Sequence, residues 1–192
     1  MLKKGAIFGR FQVIHLKQME YILAAKMRCN KLFIGISHPD IVSFAATSSL
    51  DVHGIRKRDN PLTYFERYEM ILIAMEEFGV KREEYEIIPF PISQPDLLLQ
   101  YAPHDAIYYM NVSTSWDTER LHILEGLGLK TEVLWRKSNM ERGITGSAVR
   151  SIIAEDGDWE QFVPRGICSY MKKHKIDHRI QILNRFADED EQ

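Results

Sequence analysis

The chain is 192 residues long and 45% of its residues are hydrophobic, which suits one globular domain with a sizeable core and excludes two full domains. Its 25 basic and 27 acidic residues give a formal net charge of −2, which argues against a nucleic-acid partner. The two cysteines, Cys29 and Cys168, are too far apart for a zinc-site pair or a disulfide scaffold. The first apolar run breaks at Gly9, too early for a signal peptide or membrane span, so we expect a cytoplasmic protein without a membrane partner.

The first two thirds of the chain alternate between strand-like and helix-like patterns. Short apolar runs predict strands, and apolar residues at helical spacing predict the helices between them. Strands that alternate with helices indicate a parallel sheet covered on both faces, so the expected fold class is α/β. In chain order the predicted elements are strand 5–9, helix 19–26, strand 31–37, helix 64–78, strand 85–90, strand 106–110, helix 118–127 and strand 131–135.

From residue 145 onward the pattern is helical. Helices are predicted at 145–154 and 164–174, with Pro164 in a first-turn position. We interpret this part as a helical C-terminal cap on a single domain at 1–186, and the charged end, 187–192, as a solvated acidic tail. The stretch 39–60 is long for a loop in a compact domain, and loops of that length are usually binding loops or disordered.

The first predicted strand leads into a polar and basic run, GRFQVIHLKQ at 9–18, before the next helix begins. Ligands of a parallel sheet bind at the carboxyl ends of its strands, and a following helix N-terminus favours phosphate. The spacing is consistent with a triphosphate site formed by Arg10, Gln12, His15 and Gln18. Taken alone, an arginine or histidine in such a turn is more often a surface or structural residue than a catalytic one.

A second candidate phosphate site opens a helix near the end of the chain, in the run GITGSAVR at 143–150. Thr145 or Ser147 can cap this helix or leave its first amides free for phosphate oxygens, and Arg150 lies one turn further on. By itself this run is equally consistent with a simple capping motif that carries a solvated arginine.

Three runs together, in order, resemble the archaeal-type nicotinamide-mononucleotide adenylyltransferases: GRFQ-x-x-H at 9–15, NPLT-x-x-ER at 60–67 and TGS-x-x-R at 145–150. The resemblance spans roughly the whole chain. It extends to the wider nucleotidyltransferase superfamily that carries an H-x-G-H signature and an I-S-G-T-x-I-R-like signature. It implies a Rossmann-like, doubly wound parallel sheet with the helical cap at its C-terminal end.

The resemblance implies roles for individual residues. His15 matches the first signature histidine, which contacts the triphosphate, and Arg10 matches a phosphate-contacting arginine. The run at 145–150 matches the signature that holds the β and γ phosphates. With Arg10, His15 and Gln18 as the predicted catalytic residues, the predicted nucleotide-binding residues are Gly9, Phe11, Gln12, Lys17, Thr145, Gly146, Ser147, Arg150 and, from the loop before the second helix, Arg58 or alternatively Arg56.

The chain departs from the family pattern in the first signature, where Lys17 replaces its glycine and Gln18 replaces its second histidine. Gln18 still donates a hydrogen bond but cannot become cationic, which weakens charge stabilisation of the phosphates. Lys17 either compensates with its own charge or points to solvent. A nonenzymatic nucleotide-binding regulator is therefore one alternative interpretation.

A second departure concerns the acceptor. The archaeal-type enzymes place an aromatic residue, commonly tryptophan, after the third strand to stack on nicotinamide, whereas the segment 93–100 holds none. The aromatic residues that could provide stacking from nearby are Tyr101, Tyr108, Tyr109 and Trp116.

We therefore expect an enzyme that transfers a nucleoside monophosphate from ATP or CTP to a small phosphate-bearing acceptor and releases pyrophosphate. The main interpretation is an enzyme like the nicotinamide-mononucleotide adenylyltransferases of NAD biosynthesis, and the alternative is the same transfer to another phosphate or phosphonate. No metal ligated by the protein is expected, because the histidines lack ligand spacing and magnesium arrives on the triphosphate. The resemblance also implies a homo-oligomer.

Overall fold

The computed structural model describes residues 3–39, 57–136 and 143–189, with side chains as far as residue 185. The strands are β1 (Lys4–Gly9), β2 (Lys31–Ser37), β3 (Tyr85–Phe90), β4 (Ile107–Val112) and β5 (Lys130–Arg136). The helices are α1 (Leu16–Lys26), α2 (Tyr64–Glu77), α3 (Pro95–Leu98), α4 (Ser115–Gly126), α5 (Gly146–Ala154), α6 (Arg165–Lys173) and α7 (Ile176–Glu189).

The five strands form one parallel sheet in the order β3-β2-β1-β4-β5. The central strand β1 pairs on one side with β2, where Gly5 lies opposite Leu32, and on the other side with β4, where Gly5 lies opposite Ile107. The chain reverses its direction of progress along the sheet between these neighbours, which opens a crevice at the carboxyl ends of β1 and β4. The predicted α/β, Rossmann-like, doubly wound parallel sheet is confirmed.

Each face of the sheet is covered by helices. On one face, apolar residues of β1 and β2 form a buried cluster with α1, α2 and the three C-terminal helices α5, α6 and α7. On the other face, Phe8, Phe90 and Tyr108 from three strands pack with α3 and α4. The strands are apolar on both sides because both faces are buried, as expected for a parallel sheet.

The C-terminal helices are fixed to α2 by polar contacts at both of its ends. Thr63 and Glu66 form a capping box at the start of α2, and Arg179 of α7 donates two hydrogen bonds of 2.8 Å to the carboxylate of Glu66. At the other end of α2, the Glu77 carboxylate accepts from the backbone amides of Arg165 and Gly166. The predicted helical cap is thus an integral wall of the domain.

Four features differ from the sequence-based expectation. Helices α1 and α4 begin three residues earlier than predicted, because His15 and Thr114 cap them. The one-turn helix α3 and the long helix α7 were not predicted as separate elements. Helix α7 runs to Glu189, three residues into the segment predicted as a tail, and Ile176 and Ile180 on it are fully buried.

Most of the predicted long loop, residues 40–56, lies outside the described residues, and a short 3-10 turn at Lys57–Asp59 follows it. Within the described ranges, no helix is long and apolar enough to cross a membrane.

Candidate active site

A cleft of about 670 Å³ opens at the carboxyl ends of β1 and β4. It is lined by the segment after β1, the segment after β4 and the start of α5, which the fold brings together from distant parts of the chain. All but one of the predicted site residues line it: Gly9, Arg10, Phe11, Gln12, His15, Lys17, Gln18, Thr145, Gly146, Ser147 and Arg150.

The exception is Arg58. It lies on the turn Lys57–Asp59, and it is not among the described residues that line the cleft. The alternative, Arg56, lies outside the described residues. The structure therefore links this turn to the cleft through Asp59 instead, whose carboxylate contacts Arg150.

His15 is held at the start of α1 as its N-cap. Its ring nitrogen Nδ1 accepts a hydrogen bond of 3.2 Å from the backbone amide of Gln18, and 8% of the residue is exposed. Because Nδ1 accepts this bond, the ring proton of the neutral imidazole lies on Nε2. The helix cap thus favours the tautomer in which Nε2 carries the proton.

The two residues that depart from the family signature both line the cleft. The side-chain oxygen Oε1 of Gln18 is buried, with no hydrogen-bond partner among the described residues. The ammonium of Lys17 pairs with Glu20 on the same helix, in a contact that is more than half exposed on the glutamate side. Exposed pairs of this kind contribute little to stability, so Glu20 holds the Lys17 ammonium only weakly.

Gln12 positions the chain after β1. Its side-chain amide donates to the carbonyl of Leu62 at 3.1 Å and accepts from the amide of Leu62 at 2.9 Å. This reciprocal pair resembles one step of a strand ladder and ties the segment after β1 to the segment before α2. Besides its predicted contact with the nucleotide, Gln12 therefore has a structural role, since it holds these two segments together.

Arg67 ties together the strand ends that form the floor of the cleft. Its guanidinium donates to the carbonyls of Arg10, Ser37 and His38 at 2.7 to 3.0 Å, and its Nε donates to Thr63 at 3.2 Å. Burial lowers the pKa of Arg67 to about 10, which still leaves it charged at neutral pH. Arg67 belongs to the second matched run, and the structure shows it as a positioning residue.

Arg150 is also buried, with 4% of the residue exposed. Its guanidinium donates to the backbone carbonyl of Gln12, to Asp59 at 2.8 Å and to the Ser147 hydroxyl at 3.3 Å. Burial lowers the pKa of Arg150, and the Asp59 carboxylate partly opposes that shift. The simple alternative of a solvated arginine is therefore wrong.

The start of α5 touches the loop after β1. Thr145 caps the helix by accepting from the Ala148 amide at 3.1 Å. A Cβ on Gly146 would lie 3.0 Å from the carbonyl oxygen of Gln12, so only glycine allows this approach without displacement. The first amides of α5 have no partner within the helix, and they lie beside the residues of the first motif.

The opposite wall of the cleft is formed by the start of α4. Asp117 accepts from the amides of Ser113 and Thr114 at 2.8 to 2.9 Å and pairs with Arg120. Burial alone would raise the pKa of Asp117, but Arg120 and the hydrogen bonds lower it overall. The Arg120 guanidinium lies 5.2 Å from the ring centre of Phe8 and 5.7 Å from that of Trp116.

No family model matches the chain. Among curated proteins, it is 40% identical over 177 residues to a phosphonoformate cytidylyltransferase from Streptomyces viridochromogenes, an alignment that covers 92% of this chain and 95% of the relative. The chain belongs to the nucleotidyltransferase family. It is an enzyme that transfers a nucleoside monophosphate from a nucleoside triphosphate to a phosphate-bearing acceptor and releases pyrophosphate.

More distant relatives of this nucleotidyltransferase include two nicotinamide-nucleotide adenylyltransferases. The relative from Thermococcus kodakarensis is 24% identical over 194 residues, covering 95% of this chain and 89% of the relative. The relative from Saccharolobus solfataricus is 26% identical over 184 residues, covering 94% of this chain and 96% of the relative.

Solved structures confirm the fold. A bifunctional NMN adenylyltransferase/ADP ribose pyrophosphatase from Francisella tularensis superposes with a TM-score of 0.66 at 13% identity, over 98% of this chain and 55% of that protein. The nucleotidyltransferase thus spans about half the length of that bifunctional protein. A putative nicotinate-nucleotide adenylyltransferase from Vibrio parahaemolyticus superposes with a TM-score of 0.56 at 11% identity, over 91% and 95% of the two chains.

Of the four aromatic residues considered for stacking, the structure brings one to the cleft of the nucleotidyltransferase. Tyr108 and Tyr109 are fully buried, and their hydroxyls donate to backbone carbonyls. Tyr101 is 48% exposed and does not line the cleft. Trp116 lines both the cleft and a neighbouring cavity formed with the segment after β3.

Arg120 and Asp117 were missed by the sequence-based analysis. The run at 114–117 carries the signal of a helix cap, since a threonine is followed three residues later by an acidic side chain. That signal predicts where α4 begins, but it does not show that the arginine one turn later lies over a ring of β1. The contact between Arg120 and Phe8 joins residues 112 positions apart, and only the fold reveals it.

Proposed function

We propose that this nucleotidyltransferase transfers CMP from CTP to a small phosphonate acceptor. The observation that carries the proposal is the 40% identity, over nearly the full length of both chains, to a relative named phosphonoformate cytidylyltransferase. The relatives named nicotinamide-nucleotide adenylyltransferase share 24% and 26%. The cleft wall formed by α4 supports the same proposal, because it offers the Arg120 guanidinium, and the segment 93–100 holds no aromatic ring.

In the proposed reaction, an oxygen of the ionised phosphonate attacks the α-phosphorus of the triphosphate. A new P–O bond forms to the acceptor while the bond from the α-phosphorus to the oxygen bridging the β-phosphorus breaks, and pyrophosphate leaves. His15 donates from Nε2 to the phosphates, and Arg10, Lys17 and the first amides of α5 hold the leaving group. No general base is needed, because the attacking oxygen is already ionised; catalysis is positioning and charge neutralisation.

Magnesium enters this proposal as part of the substrate, bound to the triphosphate. Within the described residues, Asp117 is the carboxylate that lines the cleft, and it is already paired with Arg120 and two backbone amides. The described ranges hold no cluster of three metal-ligating side chains. Phosphate oxygens and water therefore supply the ligands of the ion in this proposal.

A screen of pyrophosphate release tests the proposal. The four ribonucleoside triphosphates are combined with phosphonoformate, methylphosphonate, nicotinamide mononucleotide and inorganic phosphate, and products are identified by phosphorus NMR. We expect CTP with a phosphonate to be the best pair. The proposal is wrong if ATP with nicotinamide mononucleotide exceeds every other pair by about 100-fold, which corresponds to about 2.7 kcal/mol of discrimination.

The second candidate function is a nicotinamide-mononucleotide adenylyltransferase. It is favoured by Trp116, which places an indole ring at the cleft from α4 rather than from the segment after β3. Such a ring can stack on a nicotinamide. The same screen separates the two functions through the nucleotide and the acceptor that work best.

Two further properties belong to this proposal. We place the enzyme in the cytoplasm, in keeping with its free cysteines Cys29 and Cys168. We also propose a homo-oligomer, for which the exposed apolar side chains Phe65 and Ile182 offer surface. Light scattering after size-exclusion chromatography tests the oligomer, and a monomer at working concentration contradicts it.

A further inference from the structure

The carboxyl end of β4 presents buried polar atoms that the described part of the protein leaves unpaired. They are Asn111 Oδ1, Ser113 Oγ and Arg120 Nε, and all three residues line the cleft. Buried polar groups in folded proteins nearly always have partners, and an unmet group costs free energy. Two of these groups, the Ser113 hydroxyl and Arg120 Nε, are donors on one wall of the cleft, and they indicate the place where a ligand with acceptor atoms completes the hydrogen bonding.

The Arg120 guanidinium is held in one orientation. Asp117 binds its Nη2, and the Asp117 carboxylate is itself fixed by two backbone amides. The rings of Phe8 and Trp116 both lie within 6 Å of its carbon Cζ. Its side chain is 18% exposed, so water screens it weakly. A guanidinium fixed in this way with a donor to spare is suited to bind a planar carboxylate.

The cations of the cleft come from different elements. Those of the matched motifs follow β1 or lie on α1 and α5, whereas Arg120 lies on α4 and packs against the Phe8 side of the sheet. The triphosphate occupies the motif cations in the proposed mechanism. An acceptor with a second anionic group then needs a cation of its own, and Arg120 is placed to supply it.

We propose that Arg120 is the specificity-determining residue for the acceptor, and that it selects small phosphonates carrying a carboxylate next to phosphorus. Its guanidinium binds the carboxylate, the Ser113 hydroxyl donates to the same anion, and Asp117 acts as the positioning residue for Arg120. This inference rests on the proposed transfer to a phosphonate.

The test compares two acceptors in two variants. Arg120→Gln removes the charge, and Arg120→Lys keeps the charge without the planar fork; Arg82→Gln, in an exposed arginine away from the cleft, is the matched control. Steady-state constants are measured with CTP for phosphonoformate, which has the carboxylate, and for methylphosphonate, which lacks it. Melting curves confirm that each variant is folded.

We expect Arg120→Gln to raise KM for phosphonoformate about 30-fold, the loss expected for one charge-assisted hydrogen bond. The preference for phosphonoformate over methylphosphonate should fall by about the same factor, with KM for CTP changed by less than about 2-fold. For Arg120→Lys, we expect KM for phosphonoformate to lie between the values for the wild type and Arg120→Gln. A purely structural role would instead affect both acceptors and CTP alike, and an unchanged preference in folded Arg120→Gln overturns the inference.

Failure of the proposed function can be distinguished from failure of the inference about Arg120. If wild-type enzyme turns over neither phosphonate, the proposed function is wrong, and titration calorimetry of phosphonoformate decides the inference. Binding by the wild type that Arg120→Gln loses and Arg82→Gln keeps supports an anion site at Arg120. Equal binding by all three proteins, or no binding by the wild type, overturns it.

Discussion

The two walls of the cleft differ in how their buried polar side chains are hydrogen-bonded. On the wall built from the matched motifs, the large polar side chains are bonded to the protein itself: Gln12 pairs with Leu62, Arg67 with backbone carbonyls, and Arg150 with Asp59. On the wall built from β4 and α4, three buried polar atoms, Asn111 Oδ1, Ser113 Oγ and Arg120 Nε, have no partner among the described residues, and Gln18 Oε1 on the motif wall is the exception to its pattern.

This difference indicates that one wall is rigid and that the other selects the acceptor. The motif wall is organised before any ligand arrives, which suits a phosphate site whose geometry must stay constant for the reaction. The other wall offers unmet donors and acceptors, which suits recognition of a particular acceptor. Mutations on the two walls should therefore differ in kind, with stability and turnover affected on the first and substrate preference on the second.

The largest expected effect is the loss of stability when Arg67 is replaced. Replacing it with methionine leaves buried carbonyls of three strand-end and loop residues without their donor, so the free energy of unfolding should fall by about 4 kcal/mol. Urea denaturation measures the change. The control is Arg82→Met, at a half-exposed arginine, where we expect at most about 0.5 kcal/mol. A loss of less than about 1 kcal/mol for Arg67→Met would show that the hydrogen bonds from Arg67 to the strand ends are dispensable.

Arg150 tests whether the motif wall also binds substrate. Arg150→Gln should cost about 3 kcal/mol of stability, because it removes the guanidinium that pairs with the largely buried Asp59 carboxylate, and a similar amount of transition-state stabilisation. Adding Asp59→Asn removes the charge of that carboxylate as well. The double variant should recover stability while catalytic efficiency stays low, and recovery of both would assign Arg150 a structural role alone.

His15 combines a helix cap with a predicted phosphate contact, and two substitutions separate them. His15→Asn keeps a side chain that caps helices well, whereas His15→Ala loses the cap at a cost of about 1 kcal/mol. Both should lower kcat about 100-fold with a smaller change in KM for the triphosphate. Near-normal kcat in His15→Asn would mean that capping is the main role of His15.

Replacing Asp117 on the α4 wall of the cleft should give a small loss of stability with a distinctive pH dependence. Its folded pKa is lowered below the ordinary 3.8, so its charge stabilises the fold above that pH and the contribution is lost as the pH falls through the lowered value. Asp117→Asn should cost about 1 kcal/mol near neutral pH and less as the solution approaches about pH 3. Urea denaturation at both pH values checks this, and a difference that grows on acidification contradicts it.

Sequence patterns predicted the motif wall well and the acceptor wall poorly, for a physical reason. The strands are continuous apolar runs, and the predicted phosphate-binding residues lie at fixed short spacings around glycines and helix caps, so both leave a local signal. Gly146 is an example, since a Cβ at this position would lie only 3.0 Å from the carbonyl oxygen of Gln12. Arg120 leaves no local signal, because its function depends on Phe8 and Asp117 being brought to it by the fold.

Helix α7 was not predicted for the same reason: its burial depends on contacts between distant parts of the chain. Helix α7 carries many polar residues, and the burial of Ile176 and Ile180 follows from a tertiary surface that α5 and α6 provide. Periodicity alone did not distinguish such a segment from the end of a cap. The role of Arg179, which holds the capping box of α2, could likewise be seen only in the folded protein.

The contact between Arg179 and Glu66 has a consequence for synthesis of the protein on the ribosome. Glu66 completes the cap of α2, the helix whose Arg67 holds the strand ends beneath the cleft, yet its partner is translated 113 residues later. Contacts between such distant positions form late and slow folding. The nascent chain can form its sheet early, but the candidate active-site cleft gains its final support only after residue 179 has left the exit tunnel.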